Sequence, residues 1–175
     1  MLLKPLILIC LLCIAYQDMR YRAVYWLVFP VLSVLLFYEK QLYIGVNDTL
    51  NDSVYGSMFV GFQLFLLWAY FFIKYERPVN ILQNHLGLGD VLFLLSITFY
   101  FSPVNFVLFY ISSLIITLLY ACTELYIFKR KELKIPLAGL QAIYFLLLLV
   151  LSVFYRDLKC YSDFWVWKLA HHLCI

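Results

Sequence analysis

Charge is scarce in this chain. Only 13% of its 175 residues are charged, against 66% hydrophobic residues and a mean hydropathy of +0.92. A soluble domain of this size could not hide so much apolar surface, so a water-soluble fold is excluded. Punctuation is scarce too. Six glycines and five prolines leave no low-complexity tract, and no internal repeat is visible. The formal charge is only +3, with Lys and Arg placed between apolar runs. That pattern reads as membrane topology and not as a nucleic-acid surface.

Cysteine is present five times but in no metal-binding pattern. Cys10 and Cys13 form a CxxC inside an apolar run, and no second pair follows, so core packing is expected in place of a zinc site. His171 and His172 beside Cys174 read as an untidy tail. Cys160 and Cys174 share that tail and could pair if it faces an oxidising compartment. No metal and no cofactor are expected.

What the chain does have is long apolar runs separated by short charged joins, the pattern of a polytopic, all-α membrane bundle. Six segments are expected, at 2–17, 23–38, 54–73, 90–102, 104–128 and 135–155. The start, "MLLKPLILICLLCIAY", could pass for a signal peptide. It lacks a small-residue cleavage site, so it reads as a retained first helix. Segment four is short for a span and ends at Ser102-Pro103, a turn signal. Residues 1–155 are expected to form one membrane domain, with 156–175 an extracytoplasmic or interfacial tail anchored by Trp165 and Trp167.

Lys and Arg orient this bundle. Arg20, Arg22, Lys74, Arg77, Lys129, Arg130, Lys131 and Lys134 fall on one side. Lys4, Lys40, Arg156, Lys159 and Lys168 fall on the other. The eight-to-five split of the 13 basic residues puts the richer side in the cytoplasm. Both termini and the stretch 39–52 are then expected outside, the latter as a loop.

Seven of the ten acids, Glu39, Asp48, Asp52, Glu76, Glu132, Asp157 and Asp163, fall in joins or the tail and read as solvated surface. Three stand at or within apolar segments, where a carboxylate is costly and therefore a functional candidate: Asp18, Asp90 and Glu124. Glu124 has a plain structural account, snorkelling towards Lys129. Asp18 ends segment one and Asp90 opens segment four, both on the cytoplasmic side at similar depth. Two carboxylates brought together there are what acid-base cleavage of a peptide requires. The plainer alternatives are a helix cap for Asp90 and a surface pairing with Arg20 or Arg22 for Asp18. Gly87 and Gly89, flanking Leu88, lack a Cβ and allow a close approach of backbone or substrate.

These residues carry a resemblance. "GLGD" (87–90) fits the GxGD signature of membrane aspartyl peptidases. "DMRYR" (18–22) resembles the first catalytic segment of the type IV prepilin peptidases. "KIPLAGLQAIYF" (134–145) is similar to that family's Ile-Pro segment opening the last core helix. The agreement runs along about 18–145. The resemblance implies a six-helix aspartic endopeptidase of the prokaryotic plasma (inner) membrane, with Asp18 and Asp90 as the catalytic pair and Gly87 and Gly89 as motif support. It further implies prepilin-like substrates with basic leader peptides, cut at the cytoplasmic face. Two positions depart from the family pattern. Val24-Tyr25-Trp26 stands where members often have Ile-Pro, and Leu92 stands where many have Lys. The cytoplasmic insertion with paired CxxC motifs that accompanies N-methylation in bifunctional members has no room between segments one and two. Cleavage without methylation is therefore expected. Two readings from other classes stay open: a small proton-coupled carrier, and a non-catalytic homologue acting as an assembly partner.

Overall fold

The computed structural model describes residues 3–75, 87–126, 136–154 and 160–163. Among these residues the architecture is all helical: α1 (Leu3–Tyr21), α2 (Val28–Ile44), α3 (Val46–Tyr75), α4 (Leu88–Ile97), α5 (Pro103–Tyr126) and α6 (Leu137–Phe154). Helices α3, α5 and α6 are each long and apolar enough to cross a bilayer. The fourth expected segment is in fact a ten-residue helix followed by a turn. At a rise of about 1.5 Å per residue it covers only about half a hydrocarbon core. Tyr100 and Phe101 of that turn are buried in the bundle with Phe109 and Phe145.

The solvent logic of the fold is inverted relative to a soluble protein. Large apolar side chains such as Ile9, Leu12, Phe62, Phe65, Ile115 and Leu118 point outwards. Ser96, Thr98, Ser113, Thr117 and Gln141 are buried between helices. In lipid, outward apolar groups cost nothing, and small polar residues let helices approach and bond. The chain is an integral membrane protein. Helix α1 packs most extensively on α6, although they are the first and last helices among the described residues, and α2 bridges α1 to α4. The two ends of the sequence thereby share one core of Ile7, Leu11, Ile14, Ala138, Ala142 and Phe145.

Three expectations need correction. The stretch 39–52 is not a loop. Helix α2 runs to Ile44, Gly45 alone makes the turn, and α3 begins at Val46. Gly45 has φ 88° and ψ 169°, a region open in practice only to glycine. Nor are all the acids there solvated. Lys40 is fully buried, its Nζ 2.7 Å from Asp52 and 2.8 Å from the Phe101 carbonyl, and Glu39 is buried beside it. Asp163 accepts a hydrogen bond from the Ser102 hydroxyl at 2.5 Å. The acids looked solvated because nothing local in sequence paired them. Their partners come from the preceding helix and from a turn 61 residues away. Lastly, Cys13 faces outwards and only Cys10 packs partly against the core. Cys160 is buried. Cys174, the Trp165–Trp167 stretch, His171 and His172 lie outside the described residues.

Candidate active site

Helix α1 carries Asp18 near its C-terminal end, and α4 carries Asp90 in its first turn. The α1 backbone stops at Arg22, which adopts φ 52° and donates its N–H to the Asp18 carbonyl at 2.9 Å. Val24-Tyr25, one of the departures from the family pattern, follows in the join to α2. The Tyr25 N–H is held by the Gln17 side chain at 3.0 Å.

Both carboxylates meet the same short piece of backbone. The Gly139 N–H donates to Asp18 Oδ2 at 2.6 Å, and the Ala138 N–H donates to Asp90 Oδ1 at 2.8 Å. These are consecutive amides in the first turn of α6, behind Pro136. The first N–H groups of a helix have no partner within it, and the helix dipole favours negative charge there. The last helix therefore presents two free donors, and two acids from distant helices occupy them. Bound to adjacent amides, the two carboxylates meet at the same helix end.

Asp18 is buried, and Asp90 is half-buried. The expected alternative for Asp18, an Arg pairing in a surface loop, is not what the structure holds: its carboxylate points inwards to Gly139. For Asp90 the cap alternative is half present. A Cβ on Gly87 would sit 2.9 Å from Asp90 Oδ2. One carboxylate oxygen thus folds back over the start of its own helix, while the other reaches across to α6. Gly87 is required by this close fold-back. Gly89 has more room, since a Cβ there would meet only Phe29 Cζ at 3.8 Å. Leu92, the other departure, packs partly against the core.

A second crowded glycine at the site was not among the sequence candidates. A Cβ on Gly139 would lie 3.1 Å from both Cβ and Oδ2 of Asp18 and 3.3 Å from Met19 Cγ. The glycine in "IPLAG" is the signal that could have found it. Glu124 stands apart from this site and accepts a hydrogen bond from Tyr120 one turn earlier on α5. Among the described residues no three His, Cys, Asp or Glu side chains gather as a metal site would require.

The sequence model of the type IV leader peptidase family matches residues 6–122. The chain belongs to the type IV leader peptidase family. The match covers two thirds of the chain and takes in both acids, but it ends before the α6 amides that hold them. No curated protein and no solved structure matches the chain significantly. Membership supplies the general class of chemistry for this leader peptidase relative, proteolysis at a membrane, and leaves its residues to be assigned from geometry.

Proposed function

We infer that Asp18 and Asp90 are the catalytic pair of an aspartic endopeptidase that removes the leader of prepilin-like precursors. The observation that carries this reading is the convergence of two carboxylates, 72 positions apart, on consecutive amides of one helix end. Like charges held close do not both ionise easily, so one acid keeps a proton, and the dyad titrates as a unit. The ionised member takes a proton from water as that water attacks the scissile carbonyl. The protonated member hydrogen-bonds the carbonyl oxygen and so polarises it. Collapse of the tetrahedral intermediate breaks the C–N bond, and the departing amine leaves with a proton from the dyad.

The α6 amides orient both acids before substrate arrives, which is the kind of pre-organisation that catalysis rewards. A carrier would place its acids along a path through the membrane. Here both sit at one end of the bundle. The surplus of Lys and Arg in the joins at that end supports a cytoplasmic location for the site. It is strengthened by the burial of Lys40 against Asp52, which removes one of the five opposing charges and leaves four. The chain is then a plasma-membrane enzyme of a prokaryote, acting on substrates with basic leaders. Only residues 22–27 join α1 to α2, too few for an inserted methylation domain, so the reaction ends at cleavage.

The test is co-expression with prepilin-like substrates, read by gel shift. Wild type should shorten the substrate, while Asp18→Asn and Asp90→Asn, present in the membrane at equal amounts, should leave it intact. Cleavage by Asp90→Asn at the wild-type rate would return "GLGD" to a helix cap and end the peptidase reading.

A further inference from the structure

A cavity of about 420 Å³ lies between α3, α4 and α5. Its wall includes Leu64, Leu67, Val91, Tyr110 and Leu137, and one side-chain amide, Gln63. Two of these residues are chain neighbours of the site: Val91 follows Asp90, and Leu137 precedes Ala138. The cavity therefore lies beside the two-acid site, although neither acid is part of its lining.

Helix register puts Gln63 at the same depth. Helices α3 and α4 touch where Gly56 meets Thr98, a Cβ on Gly56 lying 3.0 Å from the Thr98 side chain. The two helices are joined in sequence order and run in opposite directions. Seven residues along α3 from Gly56 is Gln63. Seven residues back along α4 from Thr98 is Val91. Both steps cover about 10 Å, so Gln63 faces the cavity level with the residue beside Asp90.

Gln63 is half-buried, and among the described residues its amide makes no hydrogen bond, although the surroundings are apolar. An amide left so in a membrane-embedded cleft is costly unless something pairs with it. The substrate has a matching need. A peptide bond in a helix is shielded from attack, so the stretch around the scissile bond must unwind. In an apolar cleft the freed N–H and C=O groups must find partners. A glutamine side chain offers an NH2 that donates and a carbonyl that accepts, complementing the C=O and N–H that an extended backbone presents.

We propose that Gln63 hydrogen-bonds the substrate backbone where its apolar segment unwinds next to the scissile peptide, inside this α3–α4–α5 cleft. The proposal rests on the peptidase reading and extends it to the occupant. The bound group is the apolar stretch flanking the cut, with the leader lying on the other side of the two acids.

The experiment uses the full chain in lipid nanodiscs and a synthetic precursor with a basic leader followed by about 20 apolar residues. Gln63→Leu keeps the size and suits the membrane. It should lower kcat/KM about tenfold, the range expected for losing a hydrogen bond to an otherwise unpaired backbone group, with the thermal midpoint unchanged. A photo-crosslinker at Leu67, in an Asp18→Asn background that holds substrate uncut, should capture the precursor. The same probe at Phe65, which is outside the cavity lining, should not, and adding Gln63→Leu should cut the Leu67 yield. If wild type cleaves while Gln63→Leu cleaves equally well and Leu67 captures nothing, the cleft assignment is wrong and the peptidase reading stands. If Leu67 captures precursor in a Gln63-dependent way but wild type never cleaves it, the cleft assignment stands and the peptidase reading falls.

Discussion

Gly139→Ala separates catalysis from stability. The added methyl carbon would sit 3.1 Å from Asp18 Cβ and Oδ2 and 3.3 Å from Met19 Cγ. Comfortable carbon contacts begin nearer 3.5–4.0 Å, so the Asp18 carboxylate must retreat by about half an ångström. That movement stretches the 2.6 Å bond from the Gly139 amide. A hydrogen bond to a charged group contributes about 1.5–3 kcal/mol, and about 1.4 kcal/mol corresponds to a factor of ten in rate. Weakening that bond while misplacing one acid should lower kcat about tenfold. KM should change little, because the carboxylate acts on the transition state. Stability moves the other way. Alanine in the first turn of α6 gains about 1 kcal/mol of helix propensity over glycine, which offsets much of the crowding. Thermal unfolding in detergent should therefore stay near wild type while leader cleavage collapses. Gly139→Val, with a second methyl and a stiffer side chain, should be worse in both assays. A Gly139→Ala enzyme that cleaves at the wild-type rate would refute the close-approach reasoning. So would one whose lost activity merely tracks lost folded protein.

Three further outcomes follow from the same geometry. The double variant Asp18→Asn, Asp90→Asn should be scarcely less active than either single one, because a dyad works as a unit; multiplicative losses in single-turnover cleavage would argue for separate roles. Lys40→Met leaves the half-buried Asp52 carboxylate and the Phe101 carbonyl without their shared donor, which should cost about 1–3 kcal/mol in thermal unfolding. Pairing it with Asp52→Leu should recover most of that, and a cost no larger than a surface substitution would show the pair to be unimportant. Cysteine labels at positions 20 and 80 should react from the same side of the membrane, that of the cytoplasm; labelling from opposite sides would break the topology on which the site depends.

The bundle was legible because apolar length alone marks spans, and α3, α5 and α6 follow the expected runs to within a few residues except at the start of α3. That start was hidden by polar residues. Thr49 and Ser53 satisfy their hydroxyls on carbonyls four residues back, and Asp52 answers Lys40. A helix that settles its polar groups in this way looks like a loop in sequence. The two acids of the candidate site were legible for the opposite reason, since a carboxylate at the edge of an apolar run has few cheap explanations. Their partners were not legible. A backbone N–H belongs to every residue but proline, so nothing in the letters of Leu137-Ala138-Gly139 announces a donor pair. Only the packing of α1 and α4 around the start of α6 assigns the task.

Because those donors reside on α6, far along the chain from both acids, the timing of biosynthesis bears on when the site exists. Asp18 and Asp90 are both made, and can both be inserted, before residue 137 leaves the ribosome. Until α6 arrives, the two acids have neither the amides that aim them nor the helix that draws α1 into place. The arrangement of the two acids is thus completed only when α6 has joined the bundle.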